Sequence, residues 1–293
     1  MLVKLAKKTG FCFGVKRAVS MAEDALKKRS PIYSLGSIIH NRQVVDGLSK
    51  KGLKVIKNIN ELKKGVLVIS SHGLSPKIRA SIVKRGIDII DTTCPFVLNA
   101  QETAGRLAGE GYKVVIVGES AHPEVRALVD FAGGRAFVVK DRREAGALSL
   151  SKSDRVSVIS QTTQSKENFI SVVKAIAAKN PKALKVFNTI CADAGSRQAQ
   201  AKRLSKDVDL MLVAGGRRSA NTNRLLDACR KYCALAYLVE TEDELDAGWF
   251  KGVRSIGITS GASTPDWIVE KVAKKAKLIN SKSGYRNSKQ IPN

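Results

Sequence analysis

The chain has no long apolar run. Nothing approaches the roughly 18 consecutive apolar residues that a membrane helix needs, and even the strand-like run from Val114 to Val117 is short. Its start, MLVKLAKKTGFC, has neither an apolar core of signal-peptide length nor an Arg/Ser-rich transit stretch. A cytoplasmic protein is expected. Aromatic residues are only 5% of the chain. Zinc-finger spacing and aromatic RNA-binding signatures are both missing, so no nucleic-acid partner is expected. No G-x-x-x-x-G-K-[ST] or G-x-G-x-x-G follows a strand-like run, and the pair Gly215-Gly216 is a weak signal alone. Five cysteines, an odd number without a leader, argue against a disulfide framework.

Acidic residues are scarce. Fifty-one Lys+Arg stand against 26 Asp+Glu, a formal net charge of +25. Such a surface attracts anions. The basic residues are scattered (Lys7-Lys8, Lys27 to Arg29, Lys50-Lys51, Lys63-Lys64) rather than gathered in an arm, which fits a solvated basic face. Hydrophobic residues are 43% of the 293, an ordinary globular share with room for two or three small domains.

What the chain does have is an internal repeat. TGFC, DTTC and NTIC end at Cys12, Cys94 and Cys191. A helical stretch follows each (Val15 to Lys28, Phe96 to Glu110, Ser196 to Lys206), and then an apolar strand: IYSLG, VVIVG, LMLVAGG. His40 lies 28 residues after Cys12, His122 lies 28 after Cys94, and Ser219 lies 28 after Cys191. Short helices (Arg42 to Lys50, Glu124 to Phe131, Asn223 to Lys231) and further strands (LKVI, AFVV, AYLV) come next. Second strand-and-anchor units close the repeat: VLVISSHG with His72, VSVISQTT with Gln161-Thr162-Thr163, and SIGITSGAST with Ser263. Short continuous apolar strands alternating with helices predict an α/β fold with parallel sheets covered on both faces. Three α/β modules are expected, at 13–95, 96–190 and 191–275. Residues 1–12 carry the first cysteine in a loop, and 276–293 form a tail that is polar and mobile after Ile279. Anchors at strand ends line the crevices where parallel sheets bind ligands. A pseudo-threefold arrangement would bring three cysteines and up to six anchors to one centre.

Three thiols at repeated positions suggest a metal centre. Zinc is possible. An iron–sulfur cluster is favoured because thiolates are its standard ligands. Three thiolates leave one iron of a [4Fe–4S] cube open, a Lewis acid for a substrate oxygen. Cys229 and Cys233, at i and i+4 on one helix face, have no repeat counterpart and read as core thiols. All three histidines (His40, His72, His122) fall on anchors, beside Ser219, Asn221 and Ser263 in the third module. Imidazoles, hydroxyls and amides at strand ends can hold phosphate oxygens, so a small phosphorylated or diphosphorylated substrate is indicated. Glu124, in His122-Pro123-Glu124, is a general-acid candidate with Thr162 as a proton relay, or else a helix-dipole partner. Asp91 and Asp193 flank cysteines and suit capping or turn roles.

In these motifs the chain resembles the 4-hydroxy-3-methylbut-2-enyl diphosphate reductase family, over about Val3 to Lys275. The resemblance rests on GFCFGVKRAV at 10–19, IIHN at 38–41, SSHG at 70–73, DTTCP at 91–95, AHPE at 121–124, QTT at 161–163, and NTIC at 188–191 followed by Arg197-Gln198. It continues through SANTNRL at 219–225 and GASTPDW at 261–267. It implies a three-module trefoil around a central [4Fe–4S] cluster held by Cys12, Cys94 and Cys191, with one open iron for the substrate's allylic hydroxyl. It implies a diphosphate held by His40, His72, His122, Ser219, Asn221 and Ser263. Glu124 would be the proton source, assisted by Thr162. Two electrons and two protons would remove the hydroxyl as water, giving isopentenyl or dimethylallyl diphosphate. The electrons would come from a ferredoxin or flavodoxin, acidic carriers suited to a basic surface.

Two positions depart from the family pattern. Ala220 stands where a second serine is usual before the Asn. Asp193-Ala194 stand where Ala-Thr is usual after the third cysteine. The rival reading with the same parts is a non-redox Fe–S dehydratase or synthase on a small phosphorylated substrate, as in the three-module quinolinate synthase. Electron consumption separates the two. A basic nucleic-acid-binding protein with structural cysteines is the rival from another class, and a steep salt dependence of nucleic-acid binding would mark it.

Overall fold

The computed structural model describes residues 2–287. The chain runs β1 (Leu2–Leu5), α1 (Phe13–Lys28), β2 (Ile32–Leu35), α2 (Arg42–Lys50), β3 (Leu53–Ile56), β4 (Val66–Ile69), α3 (Pro76–Lys84) and β5 (Asp88–Asp91). It continues through α4 (Pro95–Gly109), β6 (Lys113–Val117), α5 (Pro123–Phe131), β7 (Phe137–Val139), α6 (Arg142–Ala147), β8 (Arg155–Ser160), α7 (Lys166–Ala177) and β9 (Ala183–Val186). It closes with α8 (Ala192–Leu204), β10 (Leu210–Ala214), α9 (Ala220–Arg230), β11 (Leu235–Val239), β12 (Ser255–Ser260) and α10 (Asp266–Asn287). Among the described residues the strands form three four-stranded parallel sheets, as the apolar runs predict. Their orders are β3-β2-β4-β5, β7-β6-β8-β9 and β11-β10-β12-β1.

The order is the same in all three sheets, and the strand that leads to a cysteine is always at one edge. In the third sheet that edge strand is β1. Leu2–Leu5 pairs with Ser255–Ile258 of β12, so the expected N-terminal loop is part strand. The polar stretch expected to be mobile after Ile279 is instead helical as far as Asn287 in α10. The rest of that stretch lies outside the described residues.

Packing divides the chain into two compact units. One holds Cys12 with the N-terminal strand, His40–Arg42 and the chain from Asp193 onward. The other holds Phe13–Ile39 and Gln43–Ala192.

The sheet around β6 shows why its strands are apolar without alternation. Successive side chains of a strand point to opposite faces. Val114 and Ile116 pack on Ala100, Ala104 and Leu107 of α4 and on Val125 and Leu128 of α5. Val115 and Val117 pack on Ala145 of α6 and Phe169, Val172 and Ile176 of α7. Both faces are core, so each buried valine, isoleucine, leucine and phenylalanine here contributes about 1.5–3 kcal/mol by burial. The third sheet repeats the device. Leu210, Leu212 and Ala214 face Ile268, Val269 and Val272 of α10, while Met211 and Val213 face Ala201 of α8 and Leu225 of α9. No helix among the described residues is long and apolar enough to cross a membrane.

Candidate functional site

Each repeated cysteine sits between a sheet-edge strand and a helix, and one backbone bond fixes all three in the same way. The N–H of Cys94 donates to the carbonyl of Ser71 (3.1 Å), that of Cys191 to Thr162 (2.8 Å), and that of Cys12 to Ala262 (3.0 Å). Ser71, Thr162 and Ala262 occupy equivalent places in the SSHG, QTT and GAS segments. The repeat read from residue spacing is therefore a repeat of hydrogen bonding. None of the three thiols is in a disulfide, and all three are half-buried.

In the larger unit, Cys94 caps α4 ahead of Pro95 at its first turn. Its thiol is pushed up by burial, opposed by backbone N–H groups and reinforced by the charges of Cys191 and Glu124. Gly14 of α1 lies against the sulfur. A Cβ at Gly14 would stand 2.5 Å from Cys94 Sγ and 3.1 Å from its Cβ, so only glycine allows the approach. The guanidinium of Arg17 donates to the Thr93 carbonyl at 3.1 Å.

His122 caps α5 ahead of Pro123, and its Nδ1 accepts the Glu124 N–H at 3.2 Å. In the neutral ring the proton then sits on Nε2, which makes the other edge of the ring a donor. The His72 and His122 rings meet edge to face, with centroids 5.5 Å apart. Glu124 is 1% exposed. Its two carboxyl oxygens accept from Thr162, one from the backbone N–H (2.6 Å) and the other from the hydroxyl (2.9 Å). The Glu124–Thr162 pair expected as acid and relay is therefore a direct contact.

In the smaller unit, the Ser219 hydroxyl caps α9 by accepting from the Thr222 N–H at 3.3 Å. Asn221, in the first turn of α9, is 4% exposed, and neither its amide nitrogen nor its oxygen has a hydrogen-bond partner. A buried amide left unpaired costs about 1–3 kcal/mol. The Ser263 hydroxyl donates to the His40 carbonyl at 3.2 Å. Burial, and then the charge of Arg218, hold the His40 imidazole below its ordinary pKa, so it is neutral near pH 7 and has one donor and one acceptor to offer.

The remaining expectations resolve as structural roles. Asp91 accepts from the Thr93 N–H at 3.0 Å, a turn contact, and pairs with Arg79. Asp193 pairs with the buried Arg197 at 2.6 Å and more loosely with Lys8 at 3.9 Å. Cys229 and Cys233 are core thiols beside Met211 and Leu225, and burial pushes Cys229 up to about 12. The two were expected on one helix face. Instead α9 ends at Arg230, and Cys233 lies in the turn beyond it, its N–H on the Cys229 carbonyl. Two structural locks were not read from the sequence. One is the Arg17–Thr93 bond. The other is Thr189, whose hydroxyl ties to the Ser160 N–H at 2.8 Å and to the Ser160 carbonyl at 2.6 Å. Thr189 lies inside the NTIC motif, which was its only signal.

A family model described as LytB protein matches residues 3–277. The 4-hydroxy-3-methylbut-2-enyl diphosphate reductase of Geobacter sulfurreducens is 44% identical over 282 residues, covering 96% of this chain and 99% of that one. The protein of the same name from Geotalea uraniireducens is 42% identical over 285 residues, covering 97% and 100%. Among solved structures, the E-1-hydroxy-2-methyl-but-2-enyl-4-diphosphate reductase of Plasmodium falciparum superposes with a TM-score of 0.89 at 29% identity, over 93% of this chain and 87% of that one. A second, described as the terminal enzyme of the non-mevalonate pathway, gives 0.68 at 41% identity, over 95% and 100%.

Proposed function

The chain belongs to the LytB family of 4-hydroxy-3-methylbut-2-enyl diphosphate reductases, and on that premise we propose how its own residues carry the reaction. It is an oxidoreductase. It reductively dehydroxylates (E)-4-hydroxy-3-methylbut-2-enyl diphosphate to isopentenyl and dimethylallyl diphosphate, consuming two electrons and two protons and releasing water. The family is iron–sulfur dependent.

In the proposal, Cys12, Cys94 and Cys191 hold a [4Fe–4S] cluster with one open iron. The donor set fits that group: three half-buried thiols, none in a disulfide, on identically tied backbones, one of them against a glycine that leaves no Cβ beside its sulfur. When bound, such a cluster supplies single electrons and a Lewis-acidic iron. The protein's side chains do the rest. His40, His72, His122, Ser219, Asn221 and Ser263 take the diphosphate oxygens through N–H, O–H and amide donors, bonds that the charge of the acceptor strengthens. Glu124 delivers protons, and the Thr162 hydroxyl on its second oxygen holds that carboxyl in one orientation and passes the proton on. Ala220 gives one hydroxyl fewer to the anion than the usual pair of serines. The proposal places the enzyme in the cytoplasm, served by a ferredoxin or flavodoxin.

The observation that carries the acid assignment is the two-point grip of Thr162 on a carboxylate 1% exposed. Electron counting tests the reading. Anaerobic protein mixed with the allylic diphosphate should oxidise two equivalents of reduced viologen per substrate. Cluster-bearing protein that transforms a phosphorylated substrate with no viologen oxidised would be a dehydratase instead.

A further inference from the structure

The point where Gly14 meets Cys94 has an unusual outer surface. Phe13, next to Gly14, is 69% exposed, more than any other large apolar side chain among the described residues. Phe96, two residues after Cys94, is 44% exposed. An exposed phenylalanine on each side of one close contact does nothing for the core, and stabilising the fold does not explain it. Lys16, in the same turn of helix as Phe13, is exposed, Arg17 follows it, and the first turns of α1 and α4 carry no acidic residue. Apolar aromatics with a one-sign polar rim are the anatomy of a protein interface.

We propose that the surface around Phe13, Lys16 and Phe96 is where a small acidic one-electron carrier protein docks. This rests on the reading of Cys94 as a cluster ligand and says where the reductant binds. Electron transfer weakens steeply with distance, so a carrier gains most by approaching where the protein over the acceptor is thinnest. Here one glycine of backbone separates the Cys94 sulfur from a helix end that carries the exposed Phe13. Positive charge on the rim steers an acidic partner, and the phenylalanines supply apolar contact once it arrives. Each docking oxidises one carrier by one electron. Two dockings supply the pair that, with two protons, breaks the substrate's C–O bond and releases water.

Binding tests this without turnover. The dissociation constant of a small acidic [2Fe–2S] ferredoxin for the cluster-loaded protein is measured by calorimetry at low and at near-physiological salt. The variants are the double Phe13→Ser/Lys16→Glu, the single Phe96→Ser, and Lys63→Glu, which makes the same charge change at an exposed site before β4. The double variant should bind roughly tenfold more weakly and lose part of its salt dependence. Phe96→Ser should weaken binding several-fold, and Lys63→Glu should change it less than twofold. Iron content and viologen-driven turnover should stay at the wild-type level in all three. Wild-type binding by both phenylalanine variants would overturn the surface, as would equal weakening by Lys63→Glu, which would make the effect one of net charge. A protein that binds the carrier through this surface but consumes no viologen electrons would uphold the surface and overturn the reductase reading.

Discussion

Replacing Gly14 with alanine sets two calculable effects against each other. Inside a helix, Gly→Ala is normally favourable by about 0.8–1 kcal/mol. At Gly14 the new methyl would stand 2.5 Å from Cys94 Sγ and 3.1 Å from Cys94 Cβ, whereas unstrained contacts begin near about 3.5 Å. Relief requires α1 or Cys94 to move by about 1 Å. Overpacking of that kind costs about 1–3 kcal/mol, so the net change in stability is small and unfavourable. The larger effect falls on the thiolate. Functional groups need placement within about 0.5 Å, and a displacement twice that should lower cluster affinity roughly 10–100-fold, as losses of supporting contacts do. Gly47 of α2 has nothing within 4 Å of where a Cβ would stand, so Gly47→Ala should show the helix gain alone. Iron retained under a chelator challenge, with melting curves beside it, measures both effects. Gly14→Ala should lose iron much faster than wild type with a melting point within a few degrees, and Gly47→Ala should melt higher with iron unchanged. If Gly14→Ala holds its iron as wild type does, the tight approach of Gly14 is not what positions Cys94.

Glu124→Gln should keep the iron–sulfur absorbance and lower turnover roughly 10²–10⁴-fold, since the shape remains and the proton is lost; near-wild-type turnover in steady-state assays would remove Glu124 as the acid. Asn221→Leu removes a buried amide that has no partner, so its melting temperature should hold or rise. Its KM should climb roughly 10–100-fold, because a bond to a charged ligand is missing, and an unchanged KM would place the diphosphate elsewhere. Folding disfavours the His40 imidazolium through burial and Arg218. The unfolded chain therefore binds more protons, and stability should fall as pH drops through the ordinary histidine value of 6.5 and level off below the lower folded value. Arg218→Ala should make that fall shallower, and NMR titration of the ring would show its pKa rising; an unmoved pKa would refute the charge effect. Cys229→Ala with Cys233→Ala should leave iron content unchanged, since both thiols are core.

Much of the fold was legible because it repeats. A single strand of apolar residues is ambiguous, but IYSL, VVIV and LMLVA at matching offsets from three cysteines are not, and the three sheets share one strand order. The equal spacing of 28 residues puts His122 and Ser219 each at the N-cap of a helix, α5 and α9, while His40 lies two residues before α2. What stayed hidden was non-local. Leu2–Leu5 has exposed residues at both ends and an undistinguished pattern, and it is a strand only because β12, from the far end of the chain, pairs with it. The end of α9 was hidden too, since an i, i+4 spacing cannot say whether the helix stops between the two cysteines. At the candidate site, the residues were chosen from sequence. The Glu124–Thr162 grip, the three equivalent Cys N–H bonds and the contact of Gly14 with sulfur needed coordinates, because each joins segments tens of residues apart.

We propose that Cys12, Cys94 and Cys191 hold a four-iron cluster whose fourth iron is free for substrate. Mössbauer spectroscopy of ⁵⁷Fe-loaded anaerobic protein, with and without the allylic diphosphate, tests it most directly. One iron in four should be distinct and should shift when substrate is added, and that spectrum should be lost in Cys12→Ala, Cys94→Ala and Cys191→Ala alike. Four equivalent irons that ignore substrate, or an intact cluster in any of the three variants, would contradict it.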